Sequence, residues 1–177
     1  SIRRQRQMCI RDRTYPELFK SLFLLDSIII VPPDKARSFS GRGSMVRTDF
    51  VYEGLDSAVE SFRLIPPQPC RHDFLLKHIA LNSFKETEVG WMLKSDGLIM
   101  KTYQYEDLTD VFMSLKCPIY LVYGLMSQIF SQEILDYTKY VGNLSEEAVI
   151  GIPGAMHHLF IDEPIVFVEE IKKLLKK

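Results

Sequence analysis

From Tyr105 onward the chain alternates between two hydrophobic patterns, short unbroken apolar runs and longer stretches with apolar residues three or four apart. The unbroken run Ile119-Tyr120-Leu121-Val122-Tyr123, entered through Pro118, predicts a buried strand, as does Ala148 to Ile152. Between and around them the helical spacing predicts helices over Asp107 to Leu115, over Ser127 to Val141 with a break at Gly142, and over Pro164 to Leu175. The last carries Pro at its first turn and Lys172, Lys173, Lys176 and Lys177 near its C-terminus, where cations complement the helix dipole. Earlier, Tyr15 to Lys20 reads as the end of a helix and a short turn, and Leu22 to Leu25 as a third buried strand, ended by Asp26. The Pro32-Pro33 pair and the Arg/Ser/Gly-rich stretch to Arg47 read as a loop. Leu55 to Phe62 is an amphipathic helix with apolar residues at 55, 58, 59 and 62. Pro66, Pro67 and Pro69 keep any regular element from forming directly after it. Phe74 to Ser83 is a second helix, and Val89 to Lys94 a short extended pair with its surroundings.

Strand, helix, strand, helix at this spacing means an α/β protein with a parallel sheet and right-handed crossovers. The segment from about Ile28 to Lys101 interrupts that rhythm with mostly helical matter. The implied division is a core of 14–27 and 102–177 with an insertion at 28–101. At 177 residues and 46% hydrophobic, the chain is long enough for a sizeable core. A net charge of −1 names no partner by global electrostatics. Cys9, Cys70 and Cys117 have no paired spacing, which argues against a disulfide framework or a zinc site and makes a reduced, cytoplasmic setting the expectation. The longest apolar run, Leu22 to Pro33, holds Asp26 and is too short and polar for a membrane span. No signal peptide is expected, because the basic N-terminus is not followed by an apolar segment. Residues 1–13 stand apart. They hold five of the 22 basic residues and one of the 23 acidic ones, a net of +4, which leaves 17 basic against 22 acidic, or −5, elsewhere. With no aromatic residue for stacking, this stretch is read as an artefactual extension rather than a nucleic-acid-binding arm.

The informative chemistry lies in Ile150-Gly151-Ile152-Pro153-Gly154-Ala155-Met156-His157-His158-Leu159-Phe160-Ile161-Asp162-Glu163-Pro164. An apolar run enters a Gly-Ala turn, two histidines come next, and an acidic-Pro pair opens the last helix. This stretch resembles the histidine loop of the α/β-hydrolase superfamily. Leu24-Leu25-Asp26-Ser27, Ser61 to Pro69, Gly90 to Asp96 and Cys117 to Gly124 extend the resemblance to a poorly characterised capped branch, over roughly Thr14 to Lys177. It implies a partial α/β-hydrolase fold, three parallel strands with flanking helices, and a cap at 28–101. It also implies that His157 is the general base. His158 is read as its neighbour only. A metal site on His157, His158 and Asp162 is disfavoured, because adjacent histidines are expected to point to different sides. No cofactor is expected.

Most of the superfamily places the orienting acid after the strand that here is Ile119 to Tyr123, in a Gly-x-x-Asp pattern. This chain has Gly124-Leu125-Met126-Ser127, and Ser127 is expected to cap the helix after it. Some branches place the acid after the preceding strand, which makes Asp26 the candidate, since neighbouring strand ends share the ligand-binding rim. The family's nucleophile sits on a Gly-x-Ser-x-Gly elbow. The family's spacing, counted back from Asp26, lands near Ile2, where no such motif stands, and Gly41-Arg42-Gly43-Ser44 lies in a loop with no strand before it. The resemblance therefore implies the C-terminal part of a hydrolase of a small ester, thioester or lactone, itself inactive, with apolar surface left exposed. Trp91, Phe62 and Met92, with Phe39, Phe50 and Leu64, are candidates to line an apolar substrate pocket. His72 and His78 read as helix-surface residues, and Arg63 as an ion-pair partner. Two rivals stand beside this reading: a dehalogenase or epoxide hydrolase with an aspartate nucleophile, and a non-catalytic interaction protein on the same fold. The expected partner is a small apolar ester-like molecule, with no nucleic acid and no membrane. Oligomeric state is open.

Overall fold

The computed structural model describes residues 18–36, 50–95 and 106–176. The extension 1–13, the turn after Tyr15, Phe39 and the glycines at 41 and 43 fall wholly or partly outside these. The chain divides into two compact units, residues 1–36 with 106–177, and residues 37–105.

The first unit is built on three parallel strands: β1 (Leu22–Leu25), β4 (Ile119–Gly124) and β5 (Val149–Ile152), in the order β1-β4-β5. Register pairs Leu22 with Ile119 and Leu25 with Val122, then Val122 with Ile150 and Gly124 with Ile152. Alternation along each strand sends neighbours to opposite faces, which divides the core in two. On one face Leu22, Leu24 and Leu121 pack with Phe112 of α3 (Thr109–Met113) and Leu135 of α4 (Gln132–Gly142). On the other face Val122 and Ile152 pack with Leu159 of α5 (Leu159–Asp162) and Leu174 of α6 (Pro164–Leu174), backed by Phe167 and Ile171. Continuous apolar runs are what a sheet covered on both faces requires.

Several boundaries move from those the pattern predicts. Ile29 and Ile30 are buried in the same cluster as Leu22 and Leu24. Residues 28–36 therefore fall in the first compact unit. The helix after β4 starts at Gln132 rather than Ser127, because Ser131 is its N-cap and accepts the amide of Ile134 at 3.3 Å. It ends at Gly142, with Asn143 in the left-handed conformation and the Leu144 amide returning to the Lys139 carbonyl. The helix predicted over Asp107 to Leu115 narrows to α3, since the Asp107 side chain takes the Thr109 amide at 2.9 Å and fixes the turn before it.

In the second unit α1 (Leu55–Ser61) and α2 (Asp73–Ser83) accompany an antiparallel hairpin of β2 (Phe84–Thr87) and β3 (Gly90–Leu93). A further bridge joins Tyr52 to Trp91. Phe84 is the aromatic centre, with Tyr52 and Phe62 meeting its ring edge-on at 5.7 and 6.2 Å. Among the described residues no helix is long and apolar enough to cross a membrane.

Leu121, fully buried in the central strand, and Tyr140, 84% exposed on α4, test this arrangement. Leu121→Ala is expected to lower unfolding free energy by about 2–5 kcal/mol. Tyr140→Ala should change it by less than about 0.5 kcal/mol. Urea titration followed by far-UV circular dichroism measures both.

Candidate active site at the strand ends

Asp26 and His157 lie 131 residues apart in sequence, and the parallel sheet brings them to one rim. Asp26 follows β1 with φ of 43°, a left-handed conformation that Asp tolerates better than most residues. Its amide donates to the Val122 carbonyl at 2.8 Å, so the residue is tied to the central strand as its side chain turns in. The side chain is fully buried. Oδ1 accepts the Gly124 amide at 2.9 Å. Oδ2 accepts the Ser127 hydroxyl at 2.6 Å and lies 2.8 Å from His157 Nδ1. Three donors thus surround one buried carboxyl, which is what burial of such a group demands.

The histidine loop is held from both ends. Gly154, with φ of 77°, makes the turn after β5. The loop's backbone then crosses Gly124 so closely that a Cβ there would collide with the Met156 and Ala155 carbonyl oxygens. Only glycine fits. The loop after β4 is stitched to the same segment, its Leu125 amide donating to Ile152 and its Met126 amide to Ala155, at 3.1 and 2.9 Å. From below, Asp162 of α5, 2% exposed, accepts the Met156 amide on Oδ2 at 2.8 Å. The residue before His157 is therefore fixed by a buried carboxyl.

The His157 side chain keeps 27% of its surface exposed, and its Nε2 has no hydrogen-bond partner among the described residues. With Nδ1 facing Asp26, the donor role falls to Nδ1–H and leaves Nε2 as the acceptor. The His158 ring meets that of His157 edge-on at 4.8 Å. The two rings therefore do not point to different sides; the turn entering α5 brings them together. Among the described residues no cluster of three His, Cys, Asp or Glu side chains suited to a metal ion is found.

Ser127 is not a helix cap. Its hydroxyl donates to Asp26 and accepts the Ile129 amide at 3.3 Å, while Ser131 caps α4. Asp162 is the residue that the pattern alone did not single out for this role. Its place two residues before Pro164, in an apolar segment, is the signal that was available. Trp91, Phe62 and Met92 lie in the second unit. There, strand alternation puts Trp91 on the Phe84 face of the hairpin, where Phe62 also packs, and Met92 on the other. One face of that hairpin does not offer all three to a common pocket.

The fold is similar to that of E-2-(acetamidomethylene)succinate hydrolase, with a TM-score of 0.75 at 17% identity, over 97% of this chain and 63% of that one. The chain carries part of an α/β-hydrolase fold. An esterase from Mycobacterium tuberculosis gives a TM-score of 0.72 at 17% identity, over 97% of this chain and 59% of its own. The thioesterase domain from the curacin biosynthetic pathway gives 0.64 at 16%, over 94% and 60%. By sequence, the chain is 29% identical over 94 residues to the pimeloyl-[acyl-carrier protein] methyl ester esterase of Wigglesworthia glossinidia brevipalpis, 53% of this chain and 36% of that one. No family model matches. The chain thus spans about three-fifths of these α/β-hydrolase structures, and its match covers about a third of the curated relative.

Removing the Asp162 acceptor should loosen the histidine loop of this α/β-hydrolase fold. Asp162→Ala is expected to cost about 1–3 kcal/mol, with Asp162→Asn, which keeps one acceptor, costing less. Amide exchange at Met156, read by NMR, should quicken in the same order.

Proposed function

We propose that this chain supplies the base and the orienting acid of a hydrolase acting on a small ester, thioester or lactone. His157 Nε2 takes the proton of a serine nucleophile as that oxygen attacks the acyl carbon, then returns it to the departing group. Asp26 holds the ring in the tautomer that leaves Nε2 free and stabilises the imidazolium as it forms. The observation that carries this reading is the 2.8 Å approach of Nδ1 to an oxygen of a fully buried carboxyl, with the opposite edge of the ring unpartnered among the described residues. A non-catalytic interaction protein on the same fold could keep the pair to satisfy the buried carboxyl, and the activity test below separates the two readings.

The nucleophile and the oxyanion hole belong to an elbow that this sequence does not contain, since no Gly-x-Ser-x-Gly occurs in it. The esterase and thioesterase names of three of the similar proteins favour serine over the aspartate of a dehalogenase or epoxide hydrolase. Leu125 and Met126, each more than half exposed beside the histidine loop, favour an apolar acyl or alcohol group. Trp91 and Phe62, which share the Phe84 face of the hairpin, are proposed as substrate-binding residues of the cap, and Met92, on its other face, as a separate candidate. A cytoplasmic setting suits Cys70 and Cys117, between which the described residues show no disulfide.

The test is hydrolysis of p-nitrophenyl and thioester substrates of increasing acyl length. The chain alone should give no turnover above buffer. Expressed together with the elbow-bearing segment of its parent, it should turn over, and His157→Ala and Asp26→Asn should each lower kcat about a thousandfold or more. Turnover by the chain alone that survives His157→Ala, or an assembled enzyme indifferent to both substitutions, overturns the reading.

A further inference from the structure

We infer that Ser127 is a positioning residue that sets how strongly Asp26 holds His157. The inference rests on the hydrolase reading for its purpose, and on geometry alone for its content. Ser127 Oγ and His157 Nδ1 approach the same oxygen, Asp26 Oδ2, at 2.6 and 2.8 Å. The direction of the serine proton is fixed. A hydroxyl has one proton, and the Ile129 amide, 3.3 Å away, can only donate to Oγ, so the proton goes to Oδ2.

The hydroxyl does not arrive there by chance of rotamer. The turn Gly124 to Ser127 closes with the Ser127 amide on the Gly124 carbonyl at 2.9 Å. The Leu125 and Met126 amides tie the same turn to Ile152 and Ala155, the latter two residues from His157. Ser127 and His157 are therefore presented to Oδ2 by backbone segments bonded to each other.

Two donors on one oxygen compete. The Ser127 proton draws electron density from Oδ2, and the Nδ1–H···Oδ2 bond is weaker than it would be alone, an effect that the low dielectric around the buried carboxyl strengthens. Take the hydroxyl away and Oδ2 turns wholly to the histidine. Ser127 thus limits how firmly the acid grips the ring, and keeps Oδ2 aimed while doing so.

Proton NMR of the chain labelled with 15N-histidine reads this directly, through the Nδ1–H resonance of His157, assigned by its loss in His157→Gln. In Ser127→Ala the resonance is expected to move downfield. Ser127→Thr, which keeps the hydroxyl, should leave it in place, and Ser127→Cys, a weaker donor, should fall between and serves if the alanine variant does not fold. An Nδ1–H resonance that stays put in both Ala and Cys variants, or moves upfield, overturns the inference. Ester assays do not enter: the graded shift upholds the coupling even where the hydrolase reading fails, and its absence sinks the coupling even where that reading succeeds.

Discussion

A single buried carboxyl organises the strand-end rim of this protein. Asp26 stands where β1 ends, sealed from water, and taking such a group out of water without partners is costly on the order of several kcal/mol. Its partners come from three places in the sequence: the last residue of β4, the turn after it, and the loop after β5. None is close to Asp26 in the chain. The carboxyl gains all its partners only when the three strands are in register, so the site depends on correct pairing of the sheet.

The rigidity of the rim comes mostly from backbone. Gly124 allows the Ala155–Met156 segment to lie against β4, and the Leu125 and Met126 amides fasten the two loops together. Asp162 then clamps the histidine loop from the helix side. His157 is left with Nδ1 bound to Asp26 and about a quarter of its side chain exposed, the arrangement on which the proposed general-base role rests. Packing supports this from both faces, with the α3 and α4 side chains on one side of the sheet and the α5 and α6 side chains on the other.

Much of this was legible in the residues. Three apolar runs became three strands because a parallel sheet buried on both faces tolerates no alternation, and Leu121 and Val122 go to opposite cores for that reason. The Gly-Ala-Met-His stretch and the strand-end Asp26 pointed to the rim. What stayed hidden was set by tertiary contact. Ser127 has the sequence setting of a helix cap, yet a carboxyl 101 positions away claims its hydroxyl and Ser131 takes the cap. Ile29 and Ile30 follow a strand-ending Asp and precede two prolines, the look of a departing loop, but the first core draws them in. The rings of His157 and His158 meet because the chain turns into α5 directly after them, which no spacing rule for an extended pair foresees.

The most direct test of the central claim, that Asp26 and His157 serve a nucleophile on the α/β-hydrolase elbow, is the native coding sequence upstream of Thr14. An apolar strand followed by Gly-x-Ser-x-Gly is the expected finding. A native message that encodes no serine elbow before Thr14 would contradict it, and the Asp26–His157 pair would then need another purpose.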